Sequence, residues 1–440
     1  MNLKETALSI ANAAIDAVKP GQLLKEHIHL QGDTLSIRDK VFDLSCFENI
    51  YVIGAGKASA FMAETLEEIL DKRISTGVVV VKYDHTAPCR RVTVLEGGHP
   101  IIDEKSLAGT EAILQVAESA GEKDLIICLL SGGGSALLEK LPVGITLPQL
   151  QETFRLLLEC GAAIEEINTV RKHLSEVKGG QLARRIQPAT CITLIISDVI
   201  GDLLESIASG PTAPDSTTFA DAWQVIEKYR LQDKLPEPVK AHLKKGAGGF
   251  LAETCKPGEP VFEKVHNIIL GNNLLSLLAA EEAAQKAGFH TLILSSRIQG
   301  EAREVAKAFA GMVQEVLASG HPHPRPACLL MGGETTVTIR GGGKGGRNQE
   351  LALSALIAMK NVAEEYILLS CGSDGSDGPT DAAGGISSPE IWQKCRELGL
   401  NPFEFLEKND SYHFLKAVDG LIITGPTGTN VMDIMMALVV

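Results

Sequence analysis

At 440 residues the chain is too long for one typical core, so two domains are expected. Its formal net charge of −14 argues against a general nucleic-acid or acidic-membrane surface, and no apolar run approaches the ~20 residues that span a bilayer. An acidic chain can still bind a small anion if its basic residues converge in one place.

Composition narrows the class further. Hydrophobic residues make up 45% of the chain but aromatics only 4%, which suits helices and strands packed through Leu, Ile, Val and Ala. Glycine, at 43 residues, is well above the usual ~7% and gathers at predicted strand ends, where ligand loops sit. Nine cysteines show no C-x-x-C or metal-type spacing, and an odd number cannot all pair internally. Reduced thiols in the cytoplasm fit best, and the N-terminus has no continuous apolar core of a signal peptide.

Helical spacing covers residues 3–18 and stops at Pro20-Gly21. A strand at 50–53 runs into Gly54-Ala55-Gly56-Lys57 and a helix to about Leu70. Strands follow at 78–81 and 125–130, separated by a helix at 111–120. A helical stretch is predicted over 147–183, then a strand at 192–196. Residues 232–262 are rich in Pro, Gly and Lys and read as a hinge or surface segment. Strands at 266–270, 291–295, 327–331, 366–370 and 420–423 then alternate with helices at 274–287 and 301–318. The strand–glycine–helix alternation indicates an open parallel α/β sheet with ligand loops at the strand C-termini.

The most pointed loop is Gly341-Gly342-Gly343-Lys344-Gly345-Gly346-Arg347-Asn348-Gln349-Glu350. Five glycines let N–H groups turn inward, Lys344 and Arg347 add charge, and a helix start adds the positive end of its dipole. This describes an anion cradle. The first glycine turn matches G-x-G but has Ser59 where the dinucleotide fingerprint wants a third glycine, and the next strand ends Val80-Val81-Lys82 rather than in an acid. Lys57 in that turn suits phosphate or carboxylate better than a nicotinamide cofactor. Ser131-Gly132-Gly133-Gly134-Ser135 repeats the logic through backbone and hydroxyls. In the run from Asn168 to Gly180, Arg171 and Lys178 stand seven residues apart, nearly on one helical face beside Asn168 and Ser175. Such like charges need a carboxylate or an anionic ligand to neutralise them; His173 faces elsewhere. Asp198 follows a strand end, and Gly372–Asp381 packs Asp374, Asp377 and Asp381 into a glycine loop. One or two such carboxylates plus nucleotide phosphates commonly hold Mg²⁺. The P-loop, the protein-kinase set and the G-x-S-x-G elbow are absent.

Taken in order, these motifs resemble the class II glycerate kinases, the glycerate 2-kinase family with a C-terminal MOFRL domain. Gly332-Gly333-Glu334-Thr335 and Gly425-Pro426-Thr427-Gly428-Thr429-Asn430 belong to the same set, and the resemblance covers nearly the whole chain. It implies two α/β domains: an N-terminal Rossmann-like parallel sheet over 1–240, and a C-terminal domain over 260–440 whose MOFRL region spans about 325–435. The active site is expected in the cleft between them. The implied reaction is ATP-dependent phosphorylation of D-glycerate to 2-phosphoglycerate, with ATP and Mg²⁺ and no nucleic-acid or membrane partner; a homodimer is left open. Lys57, Arg347 and Asp198 are the expected catalytic residues. Gly54, Gly56, Ser131, Gly132, Gly133, Gly134, Ser135, Asn168, Arg171, Lys178, Lys344, Gly345, Gly346 and Asn348 are expected to bind substrate or phosphate. Asp374 and Asp377 are the expected metal ligands. The alternative is an NAD(P)-dependent hydroxypyruvate reductase, suggested by the first G-x-G.

Overall fold

The computed structural model describes residues 2–440, which divide into two compact units. The first, Leu23–Leu270, opens with an antiparallel meander of β1 (Ile28–Gln31), β2 (Thr34–Ile37) and β3 (Lys40–Asp43). Its main sheet contains β4 (Asn49–Ala55), β5 (Ile74–Lys82), β6 (Val92–Gly97), β7 (Asp124–Leu130), β8 (Thr190–Ile196) and β9 (Val265–Gly271). The strand order is β6-β5-β4-β7-β8-β9, with β4 parallel to both β5 and β7. This is the doubly wound order, which reverses direction between β4 and β7. All seven residues of β7 are buried, as a strand covered on both faces requires.

Two expectations for this unit change. The predicted 147–183 helix is three helices, Leu147–Glu159, Ile164–His173 and Gln181–Ile186. Gly161 at φ +74° makes the first break, and Leu174 leaves helical geometry at the second. The segment around 232–262 is no hinge. Its helix Glu237–Ala247 buries Val239 and Leu243, and a Cβ on Gly246 would strike the Phe219 ring at 2.2 Å. The chain passes between units at residues 22/23 and 270/271 instead.

The second unit joins the segment before Leu23 to Gly271–Val440. Its sheet comprises β10 (His290–Ile298), β11 (Ala327–Gly333), β12 (Tyr366–Gly372), β13 (Gly384–Ser387), β14 (Leu421–Ile422) and β15 (Asp433–Val439) in the order β10-β11-β15-β12-β13-β14. Only β10 and β11 pair in parallel; β15 lies antiparallel to both β11 and β12. The alternation of strands and helices therefore does not give a parallel sheet here, because the last strand is inserted at the centre. The opening helix Leu3–Asp16, capped by Asn2, buries Ala7, Ile10, Ala11, Ala14 and Ile15 in this unit's core. Ser276 Oγ donates to the Ala14 carbonyl at 2.9 Å and ties it to the helix Asn273–Lys286. No helix among the described residues is long and apolar enough to cross a membrane, and the nine thiols are free of disulfides.

Candidate functional site

The loops leaving β4 and β7 lie side by side at the point where the sheet reverses, the usual ligand position in such folds. The Lys57 N–H donates to the Gly132 carbonyl at 2.8 Å, and the Ala58 N–H to Ser131 Oγ at 3.0 Å. Gly54 and Gly56 serve this crossing. A Cβ on Gly54 would sit 2.3 Å from the Leu129 carbonyl, and on Gly56, at φ +142°, 2.2 Å from Ser131 Oγ. Ser131 is a buried clamp between the loops rather than a ligand hydroxyl. Gly133, at φ +85°, lies where a side chain would meet the His99 ring at 2.9 Å and Lys57 Cγ at 3.4 Å, so these two residues flank the loop. The helix after it, Gly134–Leu137, is one turn long, too short for the expected dipole. Asp198 follows β8, the parallel neighbour of β7, and so shares the same sheet edge.

The basic pair nearby is arranged differently from expectation. The helix ends at His173, so Lys178 is not on one face with Arg171. Lys178 is fully buried, with its ammonium 2.7 Å from Glu139 Oε2 and 2.6 Å from the Leu138 carbonyl. Its charge is neutralised inside the fold, which removes it as a phosphate ligand. Burial pulls the Lys178 pKa down and Glu139 opposes the shift. Arg171 remains half-buried over the Phe154 ring at 5.0 Å, with Nη1 donating to Asn168 Oδ1 at 2.6 Å. Burial lowers its pKa too, against the pull of Glu139. His173 is structural, held by the Thr169 carbonyl at 2.8 Å and Glu253 at 3.2 Å.

The C-terminal glycine loop departs furthest from the cradle reading. Three of its N–H groups have internal acceptors: Gly341 donates to Asn409 Oδ1 at 3.0 Å, Gly343 to the Lys408 carbonyl at 2.9 Å and Lys344 to Asp410 Oδ1 at 3.0 Å. A Cβ on Gly345 would lie 2.2 Å from Ser411 Oγ, and on Gly346 2.3 Å from Asp377 Cγ. The start of the helix Arg347–Ala358 is occupied as well. Asp377 accepts the N–H of Asn348 at 3.1 Å and of Gln349 at 2.9 Å, and Gln349 Nε2 at 2.9 Å. The anion at this helix terminus is thus the chain's own carboxylate. With both oxygens taken by N–H donors, Asp377 does not fit a metal. Among the described residues no group of three or more His, Cys, Asp or Glu side chains could hold one. Asp374 Oδ1 accepts from the Ser376 N–H at 3.0 Å in a turn at the end of β12.

Arg347 keeps its charge exposed in part, and its placement depends on a residue that the sequence reading missed. Asp433, fully buried at the start of β15, accepts Nε at 2.7 Å and Nη2 at 3.0 Å, while Nη1 reaches Glu334 at 2.9 Å. Burial lowers the Arg347 pKa, but Asp433 outweighs it and holds the guanidinium above its ordinary value. Asn348 is turned inward: its Nδ2 donates to Asp433 at 2.9 Å and its Oδ1 accepts from Ser370 Oγ at 2.5 Å. It orients the pair instead of facing a ligand. Lys344 lies over the Tyr412 ring at 4.7 Å. An acid 86 residues downstream gives no local signal; only the central position of β15 brings it to Arg347.

Residues 6–244 match a family described as a domain of unknown function (DUF4147), and residues 327–433 match the MOFRL family. The chain is 44% identical to the glycerate 2-kinase of Pyrococcus horikoshii, with 100% of this chain and 98% of that protein covered. The crystal structure of a glycerate kinase from Thermotoga maritima, 40% identical, covers 100% of this chain and 99% of its own, at a TM-score of 0.87. An Agrobacterium vitis protein with the provisional name hydroxypyruvate reductase is 42% identical over 88% of this chain and 86% of its own length. Since identity above 40% runs through both units to relatives of the same length and fold, the chain belongs to the glycerate 2-kinase family that couples a DUF4147 region to a MOFRL region.

Proposed function

We propose that this protein transfers the γ-phosphoryl group of Mg·ATP to the 2-hydroxyl of D-glycerate, giving 2-phosphoglycerate and ADP. The observation that carries this reading is the full-length likeness to glycerate 2-kinases, joined to a cationic loop at the sheet's reversal point. Phosphoryl transfer needs positioning and charge stabilisation more than covalent chemistry. Lys57 supplies positive charge to the transferring group from beside the Gly132–Gly133 turn that it flanks. Asp198 accepts the proton of the attacking hydroxyl as the new P–O bond forms and the bond to ADP breaks. Arg171 and Asn168 hold the substrate's carboxylate end. Arg347 and Lys344 are assigned to nucleotide phosphate charge. Asp374 is the carboxylate that would face a divalent cation brought with the nucleotide, which would supply charge neutralisation at the phosphates. The free thiols support a cytoplasmic location.

The reductase reading is weaker on geometric grounds. In a dinucleotide fold the turn glycines admit a pyrophosphate, whereas Gly54 and Gly56 here admit Leu129 and Ser131. The test supplies D-glycerate and Mg·ATP and couples product formation to enolase without a phosphoglycerate mutase, so that only the 2-phosphate is read. NADH with hydroxypyruvate runs in parallel. NADH oxidation with no ATP consumption overturns the proposal.

A further inference from the structure

Beside the Lys57 loops, Ala208, Ser209 and Gly210 stand consecutively in the left-handed region, at φ 50°, 60° and 64°. Two adjacent non-glycine residues there persist only where their surroundings over-determine them. Here the Gly179 and Gly180 N–H groups donate to the Ser209 and Gly210 carbonyls at 3.1 and 2.7 Å. The Ala208 methyl packs on Gly134, where a Cβ would be 2.7 Å away. The enforced geometry places the fully buried Ser209 Oγ 2.8 Å from the half-buried Ser135 Oγ and 3.5 Å from Asn168 Oδ1. That amide oxygen also accepts from Arg171 Nη1 at 2.6 Å. Arg171 carries a planar fork of five donors, yet its hydrogen-bond acceptor is a neutral amide. The carboxylate whose charge it feels, Glu139, is already bound to Lys178.

We propose that Ser209 is a positioning residue that, through Ser135, shapes with Arg171 and Asn168 a subsite for the carboxylate of the hydroxy-acid substrate. With its one hydroxyl hydrogen directed at Ser135, the nearer partner at 2.8 Å, rather than at Asn168 Oδ1 at 3.5 Å, Ser209 leaves the Ser135 hydroxyl hydrogen pointing outward, as a donor to one carboxylate oxygen. The Arg171 fork takes the carboxylate through its remaining N–H groups, the arrangement that guanidinium–carboxylate recognition favours. The local strain is retained because a relaxed backbone would withdraw the Ser209 hydroxyl from this cluster. This inference rests on the glycerate kinase reading and names the part of that site which selects an acid over a simple polyol.

Ser209→Gly relieves the left-handed strain while deleting the hydroxyl, so a merely structural serine and a positioning serine give opposite results. The expected outcome is a Tm equal to or above wild type with D-glycerate bound about tenfold more weakly, as loss of a hydrogen bond that serves a charged group predicts. KM for glycerate rises by the same factor, while KM for ATP is unchanged and kcat is less affected. Adding Ser135→Ala to Ser209→Gly weakens binding little further, because the two hydroxyls act as one unit. Calorimetric titration of D-glycerate and of glycerol, without nucleotide, measures the subsite independently of turnover. Unaltered glycerate affinity in Ser209→Gly, or a change confined to ATP, overturns the inference. If wild type binds glycerate but shows no phosphoryl transfer, the proposed function falls, and the Ser209 variants still decide the subsite. If wild type fails to bind glycerate at all, the inference falls with it.

Discussion

Two glycine-rich regions that look alike in sequence do different work in the two units. In the first, the loops after β4 and β7 cross each other, their glycines make the crossing possible, and Lys57 is carried at the point where the sheet reverses. In the second, the 341–346 loop is packed against the chain itself: Lys408–Asp410 takes the N–H groups of Gly341, Gly343 and Lys344, and Asp377 takes the helix start. A cluster of glycines reports only that something comes close to the backbone. Whether that something is a ligand or another stretch of chain depends on what the fold delivers there.

The comparison breaks most sharply at Arg347. Arg347→Ala strands Asp433 in the interior without its counter-ion, a change that costs roughly 3–5 kcal/mol. Thermal melting should fall by on the order of 10 °C, together with a loss of about 10²-fold or more in kcat. Lys57→Ala should lose kcat to a similar extent, about 10²-fold or more. Its Tm, however, should fall less than that of Arg347→Ala, because Lys57 is a half-buried loop residue outside the apolar core. Equal melting losses in both variants, measured by calorimetry, would erase the distinction between the regions.

Gly56→Ala ranks next. The new Cβ meets Ser131 Oγ at 2.2 Å and the Ser131 carbonyl at 2.5 Å, in a backbone conformation that L side chains rarely adopt. A stability loss of about 2–3 kcal/mol, read by denaturant titration, should accompany at least a roughly tenfold fall in kcat.

A pH titration probes the second region. Burial raises the Asp377 carboxyl to about 6, against the N–H donors of Gln349 and Asn348. Its folded pKa lies above the unfolded value, so the folded state binds the proton more tightly and this group adds stability as pH falls from about 6 towards 4. Glu67 and Asp103 run the other way. Hydrogen bonds outweigh burial at both and hold them below the ordinary range, Asp103 at about 2, so their stabilisation is lost only below about pH 4. Protonation weakens Asp377 as the acceptor of the two helix N–H groups and loosens Asn348 beside Arg347. Between pH 7 and 5, kcat should therefore fall with a midpoint near 6 while Tm holds or rises. Asp377→Asn should remove that break in the rate profile; a break that survives the substitution belongs to another group.

The smallest effect is expected at Gly342→Ala, where a Cβ has open space and no left-handed φ is imposed. Turnover within about twofold of wild type and a Tm change under about 2 °C should result, as for exposed sites generally. A large loss would restore the ligand-cradle reading of the loop.

Much of the fold was legible along the chain. The buried strands expected at 125–130 and 192–196 are found as Asp124–Leu130 and Thr190–Ile196, and the glycine turn after β4 marked the strand-to-helix step. What escaped were short or terminal elements, such as the β1–β3 meander and β15, which lack a following helix to punctuate them. The site divides in the same way. Lys57 and Asp198 follow strands at one sheet edge, with Arg171 near it through Asn168, and all three lie in motifs singled out along the chain. Lys178 shared the positive charge of Lys57 and Arg171 but is enclosed with Glu139, a partner 39 residues away.

The sequence by itself determined the residue chemistry, the buried strand runs and the order of motifs that marks the family, because these depend on local periodicity and on side chains as written. Tertiary structure decided which charges remain available. Asp433 reaches Arg347 only because the last strand enters the middle of its sheet, and Asp377 reaches the helix start only because the β12 loop folds back onto it. Ser209 reaches Ser135 only because Gly179 and Gly180 hold a strained backbone in place. Each is a contact between residues distant in the chain, and its existence follows from the packing of whole elements rather than from any local pattern.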